Sequence, residues 1–219
     1  MQVTFNRNPL QYGEIIEQPS KELVKNTIGL FRASMEDAIK FGGDLTREAL
    51  QKIKLKNNRK YVVVDTKISM LMPQFIPAIL GWHTDGVPRP QKDKPDIRLQ
   101  EGAEGNIYHL IVTGEGCLTE FMNKPITLEL PDEPTPDLYK TVDKQLEALP
   151  NIKDLVTTIP SCQVLTWDWW TIHRAVPATK HEWRFLIRVA ETNTITPTKD
   201  LRDALRTQQQ VYIPVHFGW

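Results

Sequence analysis

The chain has 219 residues, 40% of them hydrophobic and 25% charged, with 27 Lys and Arg balancing 27 Asp and Glu. That length suits a single domain spanning 1–219, and charge neutrality removes any global electrostatic case for a nucleic-acid partner. No run of about 18 apolar residues is present to span a membrane, and the two cysteines, Cys117 and Cys162, support neither a disulfide framework nor a zinc ribbon.

The N-terminus, MQVTFNRNPL, lacks the basic-then-apolar arrangement of a signal peptide, so a cytoplasmic location is expected. From Ser20 to Phe41 the apolar residues Val24, Ile28, Phe31, Met35 and Ile39 recur at steps of three and four, which predicts one long helix. Ser20 is its expected N-cap and Gly42-Gly43 its stop. A second helix is expected from Thr46, with Leu45 and Leu50 as a staple across its start. It runs into the basic stretch 51–60, read as a solvated helix end.

Strands are expected next. Tyr61 to Val64 is β-branched, Phe75 to Trp82 leads into His83-Thr84-Asp85, and Asn106 to Thr113 alternates along its length. Gly114 and Gly116 mark a turn before Leu118 to Met122 and Ile126 to Leu130. Asp137 to Leu149 returns to helical spacing, and strands follow at Gln163 to Trp169 and Trp183 to Ala190. A helix near 199–207 and a strand at 211–215 close the chain. The order gives a helical support (1–60), a β core (61–195) and a C-terminal helix and strand (196–219), an α+β fold with a sandwich or barrel core. Between the second and third of these strands, 86–105 is proline-rich and without periodicity, as expected of a lid over a site.

His83 and Asp85 are two apart, so on extended backbone they point the same way while Thr84 points away. Two imidazoles and one carboxylate on one face of an octahedron are the ligand set of a non-haem iron site, and His173, on a distant segment, is the candidate third ligand. In the strand from Trp183, period two puts Arg184, Leu186 and Arg188 on one face and Phe185 and Ile187 on the other. An arginine facing an interior needs an anion, and a dicarboxylic acid would supply one. Either Arg184 or Arg188 can serve. One of Tyr108 and His109 is expected to point inward, with core packing the better assignment for each. Trp82, Trp167 and Trp169 read as core, and His181 and His216 as surface residues.

The set His83-Thr84-Asp85, His173 and Arg184, eleven positions after that histidine, resembles the signature of the Fe(II)/2-oxoglutarate-dependent oxygenases. Gly116 to Phe121 and the run Trp167 to Pro177, ending His-Arg-Ala-Val-Pro, are similar to flanking segments of phytanoyl-type and related hydroxylases. The resemblance covers roughly residues 60 to 190. It implies a double-stranded β-helix (jelly-roll, cupin-like) core with the N-terminal helices packed on one side. It also implies Fe(II) on His83, Asp85 and His173, and 2-oxoglutarate and O2 as co-substrates. The spacing favours Arg184 for the distal carboxylate, with Arg188 second and Tyr108 a further candidate. The reaction implied is hydroxylation of a small molecule, a nucleotide or nucleobase, or a side chain. The basic residues of 51–60 and 86–105 favour an anionic one. The competing readings are a cupin-like dioxygenase working without 2-oxoglutarate and a non-catalytic β-helix used for binding.

Overall fold

The computed structural model describes residues 1–78 and 80–206. In chain order the first elements are strands β1 (Gln2–Phe5) and β2 (Gln11–Ile15), helix α1 (Lys21–Lys25) and strand β3 (Gly29–Ser34). Helices α2 (Met35–Phe41) and α3 (Gly43–Lys52) lead to the long strand β4 (Tyr61–Leu71). Then come β5 (Ile107–Val112), β6 (Glu120–Met122), β7 (Ile126–Glu129), helix α4 (Leu138–Glu147), β8 (Val156–Thr158) and β9 (Gln163–Asp168). The last elements are β10 (His173–Arg174), β11 (Glu182–Thr192), helix α5 (Leu201–Ala204) and β12 (Leu205–Arg206).

The result is a mixed α/β architecture with mostly antiparallel sheets. The main sheet runs β12-β3-β4-β11-β5-β9-β2, and smaller sheets run β10-β6-β8 and β1-β7. Because side chains alternate along a strand, the main sheet buries both faces against different partners. One face carries Val63, Leu110, Val112, Leu165 and Trp167, which share a core with Phe121 of β6 and Val142 and Leu146 of α4. The other carries Val64, Ile111, Val164, Phe185 and Ile187, packed against Val24, Ala38, Leu45 and Ala49 of the first three helices. The N-terminal helices therefore do sit on one side of the sheet. No helix among the described residues is long and apolar enough to cross a membrane.

Several expectations are corrected. The first third is not simply helical, since β1 and β2 precede the helices and pair with β7 and β9. The single helix over Ser20 to Phe41 is three elements. Ser20 caps α1 as expected, its hydroxyl accepting from the Leu23 amide, but Asn26 ends that helix and Gly29 opens a strand. Ser34 then caps α2 through the Asp37 amide at 3.0 Å. The helical spacing was coincidental: Phe31 and Ile39 are 43% and 48% exposed. Helix α3 starts at Gly43 rather than Thr46 and ends at Lys52, so most of the basic stretch is irregular. Strand β4 continues to Leu71, seven residues beyond the expected Val64. Over Phe75 to Trp82, expected as a strand, the described residues form bends and isolated bridges, with Leu80 paired to Ala175. The final strand at 211–215 and His216 lie outside the described residues.

The stretch 86–105 is more firmly held than a free lid. Val87, Asp96, Ile97 and Gln100 are buried, and the Gln100 side chain donates to the Trp169 carbonyl. Arg7 grips Glu101 with both Nη atoms while stacking 3.5 Å over Trp170.

Candidate metal centre and its cavity

The two histidines are brought together by backbone. The His83 amide donates to the His173 carbonyl at 3.0 Å, and the His173 amide donates back to the His83 carbonyl at 2.9 Å. Strand β10 is itself held on β6 by His173 opposite Phe121. Directly opposed residues on an antiparallel bridge point to the same side, and the ring centroids are 4.6 Å apart. Thr84 points away as expected and is buried, its carbonyl accepting from the Tyr139 hydroxyl at 2.8 Å. Asp85 completes the cluster: ligand atoms of His83, Asp85 and His173 all lie within 4.8 Å of one another.

The chemistry of these donors fits a divalent metal. His83 Nδ1 lies 2.9 Å from the Gly81 carbonyl and His173 Nδ1 lies 3.2 Å from the Thr171 carbonyl. A carbonyl only accepts, so each Nδ1 carries the proton and each lone pair sits on Nε2, the arrangement that outer-sphere bonds impose on metal-binding imidazoles. Burial, then the neighbouring His173, pulls His83 down to about 4, so the ring is neutral at physiological pH. Burial works to raise the Asp85 carboxyl, but Arg188 and both imidazoles outweigh it and hold Asp85 well below the usual carboxylate range. Phe121 stacks on the His173 ring at 5.2 Å and Trp167 meets its edge at 5.6 Å.

A cavity of about 300 Å³ opens from this cluster across the main sheet. Arg184, Leu186 and Arg188 line it together, as the alternation in β11 predicts, while Phe185 and Ile187 lie in the opposite core. The two arginines differ. Arg188 is committed to carboxylates, donating to Asp85 at 2.7 Å and to Asp65 at 3.1 Å. Arg184 is 3% exposed and gives one hydrogen bond, Nε to the Cys117 carbonyl at 2.8 Å, with no carboxylate partner among the described residues. Tyr108 belongs to the core: it stacks on Trp167 at 5.4 Å, and its hydroxyl accepts from Asn106. His109 faces the other way, fully buried between Thr166 and Glu191. His181 is exposed and both cysteines are buried, as expected.

Two cavity residues, Asp65 and Lys67, and Ser69 beyond them escape the sequence reading because β4 runs past the expected end at Val64. Antiparallel register sets Ser69 opposite Arg184, Lys67 opposite Leu186 and Asp65 opposite Arg188. Burial and the Arg184 charge pull Lys67 down to about 8. The Ser69 hydroxyl is buried without a hydrogen-bond partner among the described residues. Period-two alternation continues through Val63, Asp65, Lys67, Ser69 and Leu71, and it was the signal available.

Gly86, next to Asp85, has φ of +81°, and a Cβ there would lie 2.5 Å from Asn106 Nδ2 and from Tyr108 Oη. Gly86→Ala is expected to cost about 2 kcal/mol or more through backbone strain and overlap. Weakened metal affinity should accompany it as Asp85 shifts. Urea unfolding with a metal titration checks both.

No family model, curated protein or solved structure matches this chain.

Proposed function

We propose that the protein is an Fe(II)- and 2-oxoglutarate-dependent oxygenase, with the main sheet and β10-β6-β8 forming the two sides of a double-stranded β-helix. The observation that carries this reading is one cavity holding a His-Asp-His cluster and, on the same strand face, a buried guanidinium without a carboxylate partner. An unpaired buried cation is costly unless a ligand supplies the anion. Arg184 and Lys67, diagonal to each other across the strands and both lining the cavity, make a donor set suited to one carboxylate end of a diacid. Arg184 and Arg188 are four residues apart, about 13 Å along the strand, so the diacid's other end points toward the metal ligands. A carboxylate as the third ligand, rather than another histidine, favours this reading over a cupin-like dioxygenase.

Iron bound there would supply oxidation by O2, coupled to decarboxylation of 2-oxoglutarate to succinate and CO2, with the second oxygen atom going to the substrate. The chain's own share is positioning and exclusion of water. The Gly81 and Thr171 carbonyls aim the imidazoles, Arg188 fixes the Asp85 carboxylate, and Phe121 and Trp167 close the cavity wall around His173.

Anaerobic addition of Fe(II) and 2-oxoglutarate should give a weak visible charge-transfer band. Its absence, together with no succinate formed in air, would sink the proposal. Arg184→Ala is expected to raise the 2-oxoglutarate requirement about tenfold or more while the metal stays bound. An anion favours protonated Lys67, whose pKa in the metal-free protein is about 8. Binding therefore takes up a proton at higher pH, and titrations of the band should show affinity falling as pH rises above about 8.

A further inference from the structure

A second, larger cavity of about 730 Å³ adjoins the same cluster and shares His83, Asp85, Asp65, Lys67 and Phe31 with the first. Part of its wall comes from an irregularity in β3. Between Leu30 and Ala33 the pairing of β3 with β4 shifts register, setting Phe31 and Arg32 together against the single residue Asp65 in a bulge. Bulges of this kind re-aim side chains and gather beside active sites. Arg32 sits in the left-handed region, φ +47°, a strained setting for an arginine. It is fixed from both sides: its amide donates to Asp65 Oδ1 at 2.8 Å, and its carbonyl accepts from the Thr198 amide at 2.8 Å. Asp65 is also the partner of Arg188, which grips the metal ligand Asp85. The bulge is thus tied by two carboxylates and one guanidinium to the metal cluster.

The walls carry an excess of positive charge. Arg32, Lys67, Arg89 and Arg188 are four cations against the two carboxylates Asp65 and Asp85, and Arg188 already serves both of those. Neither Arg32 nor Arg89 forms an ion pair with a carboxylate among the described residues. Phe31, 43% exposed, contributes a ring to both cavities, and Arg32 lies 5.3 Å from that ring's centroid.

Resting on the oxygenase reading, we propose that this second cavity binds the primary substrate, and that the substrate is a small molecule joining a planar ring to an anionic group. The ring stacks on Phe31, and the anion sits between Arg32 and Arg89. A phosphate ester and a carboxylate present the same chemistry to two guanidinium groups. The probes therefore need two arms, nucleoside 5′-monophosphates and 3-phenylpropanoate, with the uncharged nucleosides and 3-phenylpropanol as controls.

Calorimetric titration of the full chain, metal-free and with Fe(II) and 2-oxoglutarate under anaerobic conditions, reads their binding. At least one charged probe should bind, and its neutral counterpart should bind at least about tenfold more weakly. Arg32→Asn, which suits a left-handed position, and Arg89→Gln should each weaken the charged probe by a similar factor and leave the neutral one alone. The visible band formed with 2-oxoglutarate should survive both changes. Equal binding of charged and neutral probes, no binding in either arm, or insensitivity to both substitutions would overturn the assignment. Charge-selective binding that depends on both arginines, in a protein that never shows the band, would uphold the anion site and remove the oxygenase reading instead.

Discussion

Replacing His173 with alanine is expected to remove Fe(II) binding, by more than about 100-fold in affinity, and with it all succinate formation. The expectation rests on what the substitution leaves in place. The hydrogen bonds joining His83 to His173 are between backbone groups, so alanine keeps the bridge and its register. What goes is one Nε2 donor and the ring on which Phe121 stacks. Two ligands then remain, and losing even an outer-sphere partner of a metal-bound histidine costs 10–100-fold. His83→Ala and Asp85→Ala should act alike, although Asp85→Ala also leaves Arg188 with Asp65 alone. Anaerobic titration with Fe(II), read by calorimetry, separates this outcome from unfolding when the far-ultraviolet circular dichroism of each variant is intact. A His173→Ala protein that still formed succinate would end the metal-centre assignment.

The largest effect on stability is expected on the other face of the sheet. Glu191 is fully buried and accepts three hydrogen bonds: from Lys56 N at 2.7 Å, from Asn57 N at 2.7 Å and from His109 Nε2 at 2.9 Å. It pins the irregular basic stretch after α3 to the centre of the sheet. Glu191→Ala leaves the buried His109 Nε2 and two part-buried amides without their acceptor, each costing about 1–3 kcal/mol with the amides at the low end, so a loss on the order of 4 kcal/mol is expected. For a chain of this size that corresponds to a fall in Tm of about 10 °C. Glu191→Gln recovers only part of the loss, because its amide end must face a donor. Neither change touches the cavity residues, and the visible band should persist at temperatures where the variants remain folded.

The same burial sets a pH dependence. His109 is pulled below its ordinary value by burial, against the opposing pull of Glu191, and His83 is pulled down to about 4. Both folded values lie below the unfolded one of about 6.5, so the unfolded chain takes up protons first as pH falls. The stability of the metal-free protein should be full above about pH 7 and decline between about 6.5 and 4. Urea midpoints at pH 7.5 and 5 test the sign.

Much of the site was legible because its residues obey period two. Arg184, Leu186 and Arg188 share a face, and His83 and Asp85 flank a buried Thr84, for the local reason that strand side chains alternate. Where the alternation was not followed far enough, Asp65, Lys67 and Ser69 were missed. The N-terminal region misled for a different reason. Val24, Ile28, Phe31, Met35 and Ile39 mimic a helix face, but two serine caps and a glycine cut the run, and pairing with β4 outweighs the helical pattern. The error mattered to function, since it hid Phe31 and Arg32 inside an expected core. Strands β1 and β2 were unreadable for a third reason, because their partners, β7 and β9, lie more than a hundred residues away.

The peptide-to-peptide link between His83 and His173 has a further meaning for how this scaffold can vary. The separation of the two imidazoles is dictated by a pair of amides, so it owes little to the insertions (the stretch 86–105, the small sheets and α4) that lie, together with β5 and β9, among the 89 intervening positions, 84–172. Those insertions can lengthen, shorten or change sequence without retuning the donor spacing, provided Asp85 keeps its place beside Arg188. A scaffold wired in this way separates the part that does chemistry from the part that chooses what to act on, and leaves the second open to rapid change.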